Sequence, residues 1–455
     1  MINNKQNISI SKLQKYIEQK NIQKVASLLE GLHAADIADI LEDLDFKEAL
    51  FVIRLLDSDI TADIIAELDD DVQEKILKNL SAKEIAEEIE ELETDDAADI
   101  IADLPEHRKE QVISHIDDKG HAKDIVELLR YDEDTAGGLM GKEFIKVNEN
   151  WNVLHSVAEM RHQAEAVDKV HTIYVVDAHN RLEGRLSLKK LLTTSTKTPI
   201  KEVFNPNIHF VKVNDSADEV ARIMQKYDLF VIPVIDELGT LVGQITIDDV
   251  VDYIKEEAEK DYQMAAGITD DIEADDKMAQ LIKARLPWLI IALLGGFVSV
   301  IVLSGFNSAM HKYSTLFFFT PLIAATAGNV GVQSSAIVVQ GLANNSLTES
   351  IWRRLSKELL LSLINGIILA IILMLIGQFL LSDLLIGFNL KMSFTVAISL
   401  VSVIIMAALI GTFVPIFLHK KGIDPAVATG PFITTSNDIF GIYIFFTIAK
   451  LILGF

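Results

Sequence analysis

The stretch DPAVATGPFITTSNDIFGIYIFFTIAKLILGF, residues 424–455, sets polar groups into an apolar run long enough to cross a bilayer. The run extends over about 426–454, and Asp438 lies near its middle, where a carboxylate costs about 2.5 to 3.5 kcal/mol on insertion scales. Such a group should face protein or water, not lipid. Just upstream, Gly430 and Pro431 are expected to break the helix, while Thr434, Thr435, Ser436 and Asn437 offer hydroxyl and amide oxygens. Irregular backbone at membrane depth is tolerated where it lines a cavity, which is what a path for ions requires.

Four more apolar runs of bilayer length precede this one, at 286–306, 315–341, 359–381 and 393–418. Five spans put the two chain ends on opposite sides. Lys283 and Arg285 precede the first span, Arg353, Arg354 and Lys357 lie between the second and third, and Lys420 and Lys421 between the fourth and fifth. The alternate connections hold only Lys312 and Lys391. Basic residues favour the cytoplasmic side, so the expectation is a cell-membrane protein with its N-terminus in the cytoplasm and its C-terminus outside. The second run is expected to hold a matching irregularity in PLIAATAGNVGVQSS from Pro321, in which Gly328 and Gly331 allow close approach and Asn329 and Gln333 supply side-chain oxygens. Small residues there also suit plain helix packing.

The chain ahead of the spans has a different character. Up to Arg285 it holds 61 acidic and 33 basic residues, and beyond it 5 and 8. A surface that anionic repels nucleic acid and attracts cations. The absence of cysteine from all 455 residues removes disulfides, thiolate metal sites and cysteine nucleophiles. With no Walker loop, no HExxH and scattered histidines, an enzyme is not expected.

Residues 1–130 read as helix throughout, in short periodic segments such as HAADIADILEDL from His33 and DDAADIIADLP from Asp95, whose shared wording suggests stacked hairpins in a small solenoid. From about 140 strands appear, with an internal repeat. IYVVDAHNRLEGRLSLKKLL from Ile173 aligns with VIPVIDELGTLVGQITIDDV from Val231, pairing Asp177 with Asp236, Gly184 with Gly243 and Ser187 with Thr246 at one offset of 59. Each copy reads as strand, Asp turn, strand and capped helix. This resembles the CBS domain, whose pairs often bind adenine nucleotides and regulate an attached channel or enzyme; a ligand-free structural pair is the alternative. The boundaries expected are 138–200 and 201–255 for the two copies, 256–284 for a connecting helix rich in carboxylates, and 285–455 for the membrane domain.

In this order of parts, and above all in DPAVATGPFITTSND and PLIAATAGNVGVQSS, the chain resembles the MgtE family of magnesium channels. The resemblance implies a multidomain membrane protein made of an all-α superhelical N-terminal domain, an α/β CBS-domain pair and a five-helix transmembrane domain, working as a homodimer. It places Asp438 at ion selection, with Gly430, Thr434 and Asn329 along a pore enclosed by the second and fifth spans of two subunits. Mg²⁺ gives up water reluctantly and binds through one or two carboxylates, which two Asp438 side chains would supply. Cytoplasmic Mg²⁺ sites fall by position on Asp95, Asp99, Asp228, Asp249, Asp252, Glu257 and Asp261. Lys260, where relatives can carry an acid, and Val332, where they can carry a polar residue, depart from the pattern. The function implied is Mg²⁺ import closed by internal Mg²⁺, with ATP in the CBS pair as a further ligand. Two other readings remain: a proton-coupled divalent cation transporter with Asp438 as proton carrier, and a membrane-anchored nucleotide sensor, which leaves Asp438 unexplained.

Overall fold

Among the described residues, ten helices of eight to ten residues fill Ile10 to Leu128. Isolated helices this short are marginal in water, so packing and satisfied ends must hold them. Ser81 closes one end reciprocally: its Oγ accepts from the Glu84 N–H at 3.2 Å, and the Glu84 carboxylate accepts from the Ser81 N–H at 2.6 Å. Elsewhere Arg108 donates to the end carbonyls of Leu77 and Leu80 at 3.0 and 2.7 Å. Apolar residues three and four apart, such as Ile85, Ala86 and Ile89, turn one stripe inward. Alternate helices pack together, Ala34–Glu42 on Ser58–Ala66, that on Ala82–Ile89, and that on Glu106–His115, which produces the superhelical stack.

The computed structural model describes residues 10–165, 167, 169–269, 272, 278–343, 350–381, 389–428 and 430–455. Two compact units divide between Lys255 and Glu256. The first contains, after the helical stack, two three-stranded sheets of identical plan. Strand β1 (Ile145–Asn148) runs parallel to β2 (Ile173–Val176), which pairs antiparallel with β3 (Leu182–Leu186). The second sheet repeats this with β4 (Val211–Lys212), β5 (Val231–Ile235) and β6 (Leu241–Thr246). The repeat reaches down to atoms. Asp177 Oδ1 accepts from the N–H groups of His179 and Arg181, and Asp236 Oδ1 from those of Leu238 and Thr240, so the same Asp turn recurs 59 residues on. The two copies are tied by Leu182 N–H to Gly239 O at 3.1 Å, by Leu241 N–H to Asn180 O at 3.0 Å and by the buried Tyr174 hydroxyl to Gln244 at 3.1 Å. Helix Ile247–Ala266 leaves the last strand without interruption; residues 270–271 and 273–277 of the expected connector lie outside the described residues.

In the second unit five helices are long and apolar enough to cross a membrane: Met278–Ser304, Ser314–Ala343, Ile351–Phe379, Leu390–Lys420 and Gly430–Leu453. The fourth is the hub, packing on the second, third and fifth, and the first packs on the fifth. Helices in lipid gain little from the hydrophobic effect and associate by close packing at small residues. At Gly411 backbone meets backbone, since a Cβ there would stand 2.3 Å from the Gly331 carbonyl oxygen.

Three sequence expectations need correction here. The second span is one continuous α-helix from Thr320 through Gly328 and Gly331 to Ala343, not an interrupted one. Gly430 and Pro431 begin the fifth helix instead of breaking it, because proline's missing N–H costs nothing in a first turn. Asp438 is therefore eight residues in, roughly 12 Å along the axis, short of the middle. In addition, the third helix starts at Ile351, well ahead of the apolar run at 359, and so takes Glu358 into the span.

Gly411→Ala should cost about 1–3 kcal/mol through overpacking against backbone that cannot yield, lowering the melting temperature in detergent. Gly296→Ala, whose Cβ would meet nothing within 4 Å, should leave it unchanged.

Candidate functional site

Helix Thr94–Ala102 opens with Thr94, Asp95 and Asp96, where the positive end of the helix dipole favours anions. Its start is fastened to the chain leading into the first sheet. The Glu143 carboxylate accepts from Thr94 N–H at 3.1 Å and from its hydroxyl at 2.9 Å, and Lys142 N–H donates back to Thr94 Oγ1 at 2.9 Å. The chain passes close to Asp95 at Gly141, where a Cβ would stand 2.8 Å from Asp95 Oδ2. Asp249, in the first turn of helix Ile247–Ala266, is held by the Thr246 N–H at 3.0 Å and hydroxyl at 2.6 Å.

The consequence is a group of carboxylates withdrawn from water. Asp95 is only 9% exposed, and burial, followed by the charges of Asp249, Asp96 and Glu143, pushes its carboxyl well above the usual range. Burial and then Asp249 push Asp96 up to about 6. Burial and then Asp96 and Glu133 push Asp99 up to about 7. Asp249 is raised by burial against the opposing hydrogen bonds from Thr246. Only carboxylates figure among the charges that act most strongly on Asp95 and Asp96. Lys142, close in sequence, is instead committed to Glu127 at 2.8 Å and to the Val242 carbonyl at 2.9 Å.

The structure thus brings Asp95, Asp99 and Asp249 into one electrostatic neighbourhood and adds Asp96 and Glu143, which the sequence reading missed. Asp96 was signalled by its adjacency to Asp95; Glu143 had no signal, since its role depends on a bond to Thr94. Asp252 is exposed, one turn beyond Asp249. Glu257 and Asp261, four apart, share a face of the same helix, and Lys260 pairs with Glu257 at 3.3 Å. Asp228 is placed differently. It ends helix Ala217–Tyr227 in the left-handed conformation and lines a cleft of about 790 Å³ with His171, Arg185, Ser187, Lys190 and Asn205. Among the described residues no three His, Asp or Glu side chains are placed to hold one metal ion by themselves, so an ion at Asp95 and Asp249 would keep several waters, as Mg²⁺ does.

At membrane depth, Thr434 and Asp438 lie one turn apart on the same face of the fifth span. The Thr434 hydroxyl is turned back to the Gly430 and Pro431 carbonyls at 3.2 and 3.1 Å, and its methyl faces Gly328 of the second span. Asn437, fully buried, donates to the Ala327 carbonyl at 3.2 Å and pins the fifth span to the second. Asp438 is half-buried and no described charge acts on it. Asn329 is exposed on the second span, one residue from Gly328. Gly430 abuts the end of helix Ile247–Ala266: a Cβ on it would stand 2.4 Å from the Ala265 carbonyl, and one on Gly267 would stand 2.4 Å from the Pro431 ring.

Five helices long and apolar enough to cross a membrane, with a half-buried carboxylate among them, joined to a pair of α/β repeats, fit the class of membrane transporters. Residues 320–448 match the family described as a divalent cation transporter, 32–134 the MgtE intracellular N domain, and 136–196 and 200–256 the CBS domain. The magnesium transporter MgtE of Thermus thermophilus is 36% identical over 72% of this chain and 72% of its own, and that of Enterococcus faecalis 34% over 72% and 71%. The crystal structure of the cytosolic domain of the Mg²⁺ channel MgtE in complex with ATP is 32% identical, covers 54% of this chain and 100% of its own, and has a TM-score of 0.51. The soluble part of a magnesium transporter gives 27%, 55%, 98% and 0.50. The chain belongs to the MgtE family of magnesium transporters.

Carboxylates whose pKa is raised by folding stabilise their packed state when protonated, an effect complete below pH 4 and lost as pH rises through 6 to 7. In EDTA, therefore, hydrogen exchange of helix Thr94–Ala102, corrected for intrinsic rate, should quicken between pH 5 and 8. Millimolar Mg²⁺ should remove most of that difference.

Proposed function

We propose that a homodimer of this chain conducts Mg²⁺ into the cell across the cell membrane, through a path enclosed by the second and fifth spans of both copies, and that cytoplasmic Mg²⁺ closes it. The N-terminus lies in the cytoplasm and the C-terminus outside. The observation that carries the reading is Asp438, a half-buried carboxylate at membrane depth on which no described charge acts. A second copy brings a second carboxylate, and the pair would hold a hydrated divalent ion with Asn329, Thr434 and the backbone near Gly430 beside it. An inside-negative potential of 100 mV favours entry of a divalent cation by about 5 kcal/mol, so import needs no coupled ion.

Closure is attributed to the acidic residues of the soluble unit, Asp95, Asp99, Asp249 and Asp252 with Asp96 and Glu143, and to Glu257 and Asp261 on the connector. Two carboxylates about 6 Å apart repel by roughly 3 kcal/mol at an effective dielectric near 20, and a divalent ion between them reverses the sign. Helix Ile247–Ala266 carries Asp249 near its start and meets Gly430 and Pro431 at its end, which supports a mechanical link from sensing to the fifth span. The cleft lined by Arg185, Ser187, Lys190 and Asn205 has the size of a nucleotide site. ATP is assigned to it, with Asp228 at its edge acting on the bound ligand or its cation in place of the carboxylate group around Asp95.

In proteoliposomes with a membrane potential and no pH gradient, the chain should take up Mg²⁺, and Asp438→Ala should lower the rate at least about tenfold, as loss of an ion-holding carboxylate demands. Uptake that appears only with a proton gradient would replace the channel by a proton-coupled carrier. Asp95→Asn with Asp249→Asn should raise the internal Mg²⁺ needed for closure by about tenfold, within the usual range of coupling between sites; unchanged closure would sink the sensing mechanism.

A further inference from the structure

Glu358 is a second carboxylate within the spans, and the ion path described above makes no use of it. It lies two turns into the third span and is only 6% exposed. Its Oε1 stands 2.6 Å from the Ser334 hydroxyl of the second span, itself 5% exposed. That separation belongs to a hydroxyl donating to a carboxylate, a bond about twice as strong as one between neutral groups. An acid kept in an apolar helix is costly, and here the bond to Ser334 is what it makes.

The placement of this bond matters because the second and third spans pack chiefly on the fourth and little on each other. Ser334 sits on the inner stripe of the second span with Ile323, Ala327, Gly331 and Val338, whereas Asn329 and Gln333 are exposed on the opposite side. At 100° per residue, fixing Ser334 fixes the direction of both. The inward residues nearest to it, Ala327, Gly328, Gly331 and Ser335, are small. Glycine and alanine let backbones approach but leave rotation about the helix axis weakly specified, whereas a buried polar pair selects one register.

We infer that Glu358 is a positioning residue of the ion path: through Ser334 it sets the rotation of the second span and so holds Asn329 and Gln333 toward the path. This rests on the path assigned to Asp438 and Asn329. Arg354, one turn earlier on the same face, has a buried Nε with no hydrogen-bond partner, and among the described residues the Glu358 carboxylate is bonded to Ser334.

The chain has no cysteine, which gives a direct reading of rotation. Gln333→Cys, in the full chain in proteoliposomes, should react with a membrane-impermeant methanethiosulfonate reagent. Ser334→Ala or Glu358→Leu should slow that reaction and raise the Mg²⁺ concentration for half-maximal uptake, each by about tenfold, the worth of one buried interhelical hydrogen bond. Glu358→Gln, which keeps the acceptor oxygen, should restore both. Reactivity and half-saturation unchanged in Ser334→Ala would overturn the inference, as would a Glu358→Gln variant as impaired as Glu358→Leu. Ser334→Ala, a minimal change, keeps the test decisive if Glu358→Leu fails to reach the membrane. Undiminished uptake by Asp438→Ala would instead overturn the path itself, a result separable from wild-type behaviour of Ser334→Ala alongside an inactive Asp438→Ala.

Discussion

A carboxylate taken out of water without a cation beside it is unstable by several kcal/mol, and this molecule holds such groups in both of its units. Around Asp95 the nearest strong influences are other acids. At Asp438 no described charge acts at all. The protein meets this by lending hydrogen bonds, from Thr246 to Asp249 and from Thr94 to Glu143, which orient the acids without discharging them. What remains around both is an unsatisfied preference for a cation, and the function proposed above rests on that preference.

The helical and membrane parts were legible because periodicity reports burial directly. Five apolar runs gave five spans, and the offset of 59 between Asp177 and Asp236 anticipated two identical sheets and the same Asp turn in each. The span ends were less legible, since glycine and proline mark either the interruption of a helix or its start. At Gly430 and Pro431 only the packed structure decides, and it places them at the start.

The candidate site was legible where the family resemblance pointed to it and hidden where tertiary contact made it. Asp95, Asp99 and Asp249 follow from the resemblance by position, and the fold sets them within reach of one another's charge. Glu143 is a lone acid in the sequence and matters only because Thr94 folds against it. Glu358 is the sharper case: the apolar run begins one residue after it, so a boundary drawn by hydropathy assigns it to a loop, while the helix carries it inside. Asp228 stands in a motif that suggested an ion ligand, yet the left-handed turn at the end of its helix directs it to the cleft between the repeats. A residue type and its neighbours in sequence do not encode which surface a turn presents.

The connector is a single helix of 20 residues from Ile247 to Ala266, about 30 Å long, with no glycine or proline to absorb bending. Coupling between binding at the two ends of this rod, by linkage, runs both ways. If ions at Asp249 bias the rod toward a closed pore, then whatever stabilises the open pore must weaken ion binding at Asp249 by the same factor. A blocker that wedges the membrane part open would thus be read at the far end of the rod as a loss of Mg²⁺ affinity. On that reading, a sensitivity to its own cargo would be a property of the whole chain and belong to neither end alone.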